Sequence, residues 1–148
     1  MVMLSKNFSL DEMCKSQTAD RLGIANNPTA DAIYNMGYLA ENILQPLRNE
    51  YGAYMVSSGY RCVDLCLAIG SKATSQHALG QAADFEICGI SNLDLAEWIS
   101  DNLEYDQLIL ECYKGGNTGW VHCTFSFFSL HTPQSYQDNF SVYVIVSL

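Results

Sequence analysis

Basic residues are scarce in this chain. Seven Lys and Arg stand against sixteen Asp and Glu, a formal net charge of −9 over 148 residues. That balance excludes the phosphate neutralisation on which general nucleic-acid binding rests. It also sets the chain against anionic membranes and anionic wall polymers. An anionic substrate would have to be held locally, by a metal ion or a single Arg. Long apolar runs are missing as well. The longest, such as Val142–Val146, fall far short of the roughly 20 residues a membrane-spanning helix needs, so no membrane partner is expected. Met1–Leu10 carries Lys6 but no apolar stretch followed by a small-residue cleavage site, and no signal peptide is read there. Internal repeats, low-complexity tracts and linkers are lacking too, which predicts one domain over residues 1–148.

What is present is a globular composition: 49% hydrophobic and 16% charged residues, with a mean hydropathy of +0.01. A chain of this length can bury a real core. Six cysteines sit at 14, 62, 66, 88, 112 and 123. With no export signal, and a chain long enough to do without staples, they read as reduced and mostly buried thiols. Cys62 and Cys66 have the spacing of a helical zinc half-site, but no second close pair completes a four-cysteine set.

The order of elements follows from caps and periodicity. Ser9 before Leu10-Asp11-Glu12 is an N-cap signal, with Glu12 placed for a capping box, and predicts a short helix through about Lys15. Asn26-Asn27-Pro28 is a turn, and Thr29 caps a long helix from about Ala30 to Glu50. Its apolar stripe is Ile33, Met36, Leu39, Ala40, Ile43, Leu44 and Leu47. Pro46 predicts a kink or early end inside it, and Gly52 closes it. Short strands are expected at Ala53–Tyr60, Ala82–Ile87, Asp106–Cys112 and Trp120–Phe128, with helices around Val63–Ile69 and from Ser91 to about Leu103. The Gly-rich turn Lys114–Gly119 makes the last two strands an antiparallel hairpin. Helices first and strands later indicate an α+β fold, N-terminal helices packed on a small antiparallel sheet.

Three histidines, His77, His122 and His131, carry most of the chemical interest. Residues 75–84 read S-Q-H-A-L-G-Q-A-A-D, with His77 in a Gly-containing loop and Asp84 at the start of a strand. Far downstream, Trp120-Val121-His122 lies on another strand. Two His and one Asp make a three-ligand set that leaves a fourth position to water, the pattern of catalytic zinc, which lowers the pKa of bound water toward about 7. The spacing alone is weak, because a loop His and a strand-capping Asp recur by chance.

The order of blocks adds to it. Residues 57–61 read S-S-G-Y-R, then come S-Q-H-A-L-G-Q-A-A-D, D-Q-L-I-L-E and W-V-H. This series resembles the zinc D-Ala-D-Ala carboxypeptidase family of murein peptidases, of the Hedgehog/DD-peptidase fold and close to its phage endolysin branch. The resemblance runs over roughly residues 5 to 125 and fades in a divergent tail, 126–148. It implies zinc held by His77, Asp84 and His122. It implies substrate binding and transition-state stabilisation by Arg61, whose guanidinium is a fixed cationic fork. It implies contact of Ser75 with the peptide, and Trp120 as a pocket wall. The plainer alternatives are an ion-paired Arg61, a loop-stabilising Ser75 hydroxyl and a core Trp120.

The general base departs from the common pattern. Many relatives carry Glu three residues before the last His, where this chain has Gly119. In the branch most like this one a Glu ends the preceding strand, and Glu111 holds that place. Strand periodicity puts Gln107, Ile109 and Glu111 on one face. Glu86 and His131 are the rivals. Other departures are Leu65-Cys66 for the usual Leu-Asn, Gly70-Ser71 for a double Gly, and an apolar tail that reads as an edge strand or a divergent end. The function implied is hydrolysis of a peptide bond in the peptidoglycan stem peptide, as a D-Ala-D-Ala carboxypeptidase or an L-Ala-D-Glu endopeptidase. The alternative is a non-catalytic zinc-containing binding module on the same fold. The implied location is the cytoplasm of an infected bacterial host, with wall access through another factor, or a virion.

Overall fold

The computed structural model describes residues 1–127 and the backbone of one further strand, Val142–Ile145. Helix α1 (Leu10–Cys14) starts where Ser9 Oγ accepts from the Glu12 N–H at 3.2 Å. Helix α2 (Gln17–Leu22), between Ser16 as N-cap and Gly23 as C-cap, has no counterpart in the sequence reading. At six residues it is too short to show an apolar stripe, and only its caps mark it.

The long helix forms with Thr29 as its cap, but in three pieces: α3 (Ala30–Leu39), a π-helical turn (Ala40–Leu44) and α4 (Gln45–Tyr51). The expected disturbance at Pro46 therefore falls one turn earlier. Pro46 has no N–H, so the ladder must change register before it, and the Gln45 N–H reaches back to the Ala40 carbonyl. Asn42 Nδ2 takes up the Tyr38 carbonyl at 2.9 Å. The apolar stripe survives the shift, with Met36, Leu39, Ala40, Ile43, Leu44 and Leu47 all fully buried.

Strands β1 (Val56–Ser58), β2 (Ala82–Phe85), β3 (Gln107–Glu111) and β4 (Trp120–Thr124) form an antiparallel sheet in the order β1-β2-β4-β3. All four are shorter than expected at one or both ends. Strand β5 (Val142–Ile145) adds to β3 in parallel, so the apolar tail run supplies an edge strand and the one parallel pairing of the described sheet. Helix α5 (Val63–Ala68) follows β1, and α6 (Asn92–Asn102), capped by Ser91, joins β2 to β3. The predicted β3–β4 hairpin is present.

Strand alternation divides the sheet into two faces. Ala83 and Phe85 of β2, Leu108 and Leu110 of β3, and Val121 and Cys123 of β4 join the α3–α4 stripe and Leu95, Ala96 and Ile99 of α6 in one core. Each large side chain buried there contributes roughly 1.5–3 kcal/mol. The other face carries Ser58, Asp84, His122, Ile109, Glu111 and Trp120, by the pairings Ser58↔Asp84, Asp84↔His122, Ile109↔His122 and Glu111↔Trp120. No disulfide joins the six cysteines; Cys66 and Cys123 are buried and Cys88 is exposed. Burial pushes the Cys14 thiol, with Asp11 adding to it, up to about 11, so it stays protonated at neutral pH.

The loop between α5 and β2 packs on α3 at Gly80. There φ is +72°, and a Cβ would run into the Ala32 carbonyl and the Met36 side chain. Gly80→Ala should therefore lose about 1–3 kcal/mol, from a left-handed backbone and a blocked helix approach. Gly37→Ala, on α3 with nothing within 4 Å of the new Cβ, should be neutral or stabilising by up to about 1 kcal/mol. Urea unfolding midpoints of the two variants measure the contrast.

Candidate metal centre

Asp84 occupies the middle of the polar face, on the central pair β2–β4. Its residue is 7% exposed, yet three groups converge on its carboxylate. Arg61 Nη2 donates to Oδ2 at 2.9 Å, His77 Nε2 lies 3.4 Å from the same oxygen, and His122 Nδ1 lies 2.7 Å from Oδ1. Burial opposes ionisation of Asp84. Hydrogen bonds from His122 and His77, and their charges, outweigh it and hold the carboxyl well below the usual carboxylate range.

His122 comes to Asp84 through strand register alone, as the directly opposed residue. His77 arrives from a loop and needs more support. Its Nδ1–H donates to the Gly59 carbonyl at 2.7 Å, its own carbonyl accepts from the Arg61 N–H at 3.2 Å, and Ser75 Oγ accepts from its backbone N–H at 3.3 Å. The S-G-Y-R segment and the S-Q-H loop thus brace each other. With Nδ1–H given to that carbonyl, Nε2 is the ring atom left to face Asp84 Oδ2. Nε2 and Oδ2, 3.4 Å apart in a buried site, are placed to share a proton or to hold a metal ion between them. One ligand atom from each of His77, Asp84 and His122 lies within 4.8 Å of the others. The donor set suits zinc, and the carbonyl bond to Nδ1 is the outer support that metal-ligating histidines usually have.

The other expected residues fall as follows. Arg61 joins the cluster, its Nε donating to Ser58 Oγ at 2.8 Å and its side chain 21% exposed. Its ion pair with Asp84 is the plainer of the two alternatives, now with a partner that belongs to the centre. The Ser75 hydroxyl is engaged within the loop. Trp120 is half-buried, and its Nε1 has no partner among the described residues. Glu111 opposes Trp120, two pairs along the ladder from His122, at the diagonal spacing of about 7–8 Å between such neighbours. Glu86 is exposed just past the end of β2, its Oε1 accepting from Asn92 Nδ2 at 3.2 Å. His131 lies outside the described residues. Gly119 has φ +70°, and a Cβ there would meet the Glu111 carbonyl, so this backbone has no room for a Glu at that position. The Cys62–Cys66 half-site gains no third ligand among the described residues. Cys62 caps α5, and Cys66 Sγ sits 3.5 Å from the Arg61 carbonyl.

Two amides that bind the backbone, Asn26 half-buried and Asn92 buried, went unread in the sequence. Asn26 Nδ2 donates to the Cys14 and Tyr60 carbonyls, both at 2.9 Å, and its Oδ1 accepts from the Cys62 N–H at 2.7 Å, fixing the backbone on either side of Arg61. Asn92, 1% exposed, places Nδ2 within reach of Glu86 Oε1 and the carbonyls of Thr118 and Gly119. It ties α6 and β2 to the turn that leads into Trp120-Val121-His122. A turn Asn and a residue after an N-cap carry no pattern that announces such bonds.

Three candidate ligand atoms on a small α+β fold would leave a bound metal an open position, unlike a closed four-ligand structural site. A family model described as Peptidase M15 matches residues 6–124, and the chain belongs to that family. No curated protein matches it.

The Asn92 clamp is testable apart from any activity. Asn92→Ala removes a buried amide and its bonds to the Thr118 and Gly119 carbonyls, and should lower unfolding stability by about 1–3 kcal/mol. Amide exchange should quicken in the 115–120 turn more than in α3; uniform loss of protection would mean that Asn92 only fills space.

Proposed function

We propose that this chain is a zinc-dependent peptidase that hydrolyses a peptide bond in the peptidoglycan stem peptide, as a D-Ala-D-Ala carboxypeptidase or an L-Ala-D-Glu endopeptidase of endolysin type. The observation that carries the reading is the buried His77–Asp84–His122 group with Arg61 on the same carboxylate, in a peptidase M15 chain. His77, Asp84 and His122 would hold the metal. When bound, zinc supplies Lewis-acid polarisation and acidifies water.

The chain's own residues do the rest. Glu111, on the face of His122 and half-buried at the end of β3, accepts a proton from the attacking water. The C–N bond then breaks, and Glu111 returns that proton to the leaving amine. Glu86 suits the role less, being exposed and engaged by Asn92. Arg61 is pinned by Ser58 and Asp84, so its fork has a fixed direction and can meet a substrate oxygen as negative charge grows on it. Ser75 and Trp120 border the same centre and are the proposed peptide contacts. The proposed setting is a bacterial host or virion in which another factor gives access to the wall.

Metal analysis of the zinc-loaded protein should give one zinc per chain, falling sharply in His77→Ala; an unchanged content would remove His77 from the ligand set. Purified peptidoglycan treated with the loaded protein should release fragments whose masses identify the bond cut.

Glu111→Gln should keep its zinc and lose about 10²–10⁴ in kcat, the usual worth of acid–base catalysis. Activity retained in Glu111→Gln and lost in Glu86→Gln would transfer the role to Glu86. If native protein with full zinc content binds wall peptide and never cleaves it, the chain is a binding module on the peptidase fold.

A further inference from the structure

A cleft of about 600 Å³ opens beside the metal centre, bounded by the corner between α1 and α2, by β1 and by α5. That volume is within the range of about 300–1,000 Å³ typical of ligand sites. Arg61 and Ser58 line its inner end, next to Asp84. Lys15 and Glu12 line the end formed by the helix corner, and Met55, Leu65 and Ile69 give it apolar walls. β1 is the outermost strand of the sheet on this side, so the cleft runs along a sheet edge.

Charge makes the cleft unusual for this chain. Two of its seven basic residues line this one cavity, against one carboxylate, in a protein of net charge −9. Arg61 spends Nη2 on Asp84 and Nε on Ser58, while Nη1 has no partner among the described residues. Lys15 makes no ion pair with a described residue, although Glu12 lies one helical turn away on the same wall. An ammonium left unpaired at the mouth of a cleft, on a protein that repels anions elsewhere, selects an anionic ligand.

We propose that this cleft is the subsite for the part of the substrate beyond the bond cut, and that Lys15 recognises a free carboxylate on it. The ligand class is a short peptide of small apolar residues bearing a carboxylate away from the reacting carbonyl. Methyl-sized side chains rest on Met55, Leu65 and Ile69, and the carboxylate pairs with Lys15. This rests on the peptidase reading for the identity of the substrate, and it adds a specificity residue that neither the motifs nor the family match supplies.

The test is a binding cycle in full-length, zinc-loaded protein carrying Glu111→Gln, so that binding is read whether or not the native chain hydrolyses. The probes are the pentapeptide L-Ala-γ-D-Glu-L-Lys-D-Ala-D-Ala and the same peptide with its D-Glu α-carboxylate amidated. Titration calorimetry should show Lys15→Gln weakening the acidic peptide about two- to five-fold, the scale of an exposed ion pair. It should leave the amidated peptide unaffected, and Lys15→Arg should restore the difference. Lys6→Gln, on an exposed residue that does not line the cleft, should change neither. Equal weakening of both peptides by Lys15→Gln, no weakening of either, or no binding of the acidic peptide would overturn the subsite. A native protein that fails to cleave but shows the Lys15-dependent difference would overturn the peptidase reading and leave the subsite standing.

Discussion

A single buried carboxylate sets the terms for the rest of this molecule. Asp84 sits on the central strand pair with Arg61, His77 and His122 all within 3.4 Å of its two oxygens. A carboxylate at such depth is stable only when its charge is met, and breaking one of its partnerships leaves a buried charge uncompensated. Each partner imposes a demand on a different part of the chain. His122 requires the β2–β4 register. Arg61 requires the backbone after β1, which Asn26 grips from both sides. His77 requires a loop that comes close to α3 at Gly80 and to Gly59. Loop, strand and helix corner are therefore coupled through one side chain.

The sheet makes this coupling compatible with a dry core. Because side chains alternate, Asp84 can be surrounded by polar partners while Ala83 and Phe85, its neighbours in sequence, face Leu108, Val121 and the helix stripe. A one-residue slip of β4 would send His122 into that core and Val121 into the metal face. The apolar contacts thus hold the ligand geometry as firmly as the polar ones do. Stability and site are specified by the same register.

Much of this was legible in the residues. The α3–α4 stripe, the Ser9, Thr29 and Ser91 caps and the Gly-rich hairpin turn each carry a local physical signal, and each predicted element exists. The three candidate ligands came from the order of blocks rather than from spacing, which alone could not separate a ligand from a loop His. What escaped depends on distant partners. Helix α2 is too short for periodicity to show. The π turn arises because Pro46 acts on the ladder before it, an effect the apolar stripe conceals. Asn26 and Asn92 are ordinary polar residues until the fold brings carbonyls to them. The parallel sense of β5 is a matter of topology, which an apolar run does not encode.

The carboxylate proposed as base and the turn that leads to His122 meet at one place in the fold. At Gly119 the backbone is left-handed and its Cα faces the Glu111 carbonyl, so the strand before His122 has no place for an acidic side chain. Yet Glu111 belongs to the strand paired with that same segment, opposite Trp120. In an antiparallel pair, residues two positions apart across the ladder share a face and a neighbourhood, as Glu111 and His122 do. A carboxylate on β3 can thus stand within a side chain's length of a His on β4. The tight Gly119 turn and the Glu at the end of β3 are two halves of one arrangement. The first lets the chain turn tightly back onto the end of β3, and the pairing that follows sets the second on the face of His122.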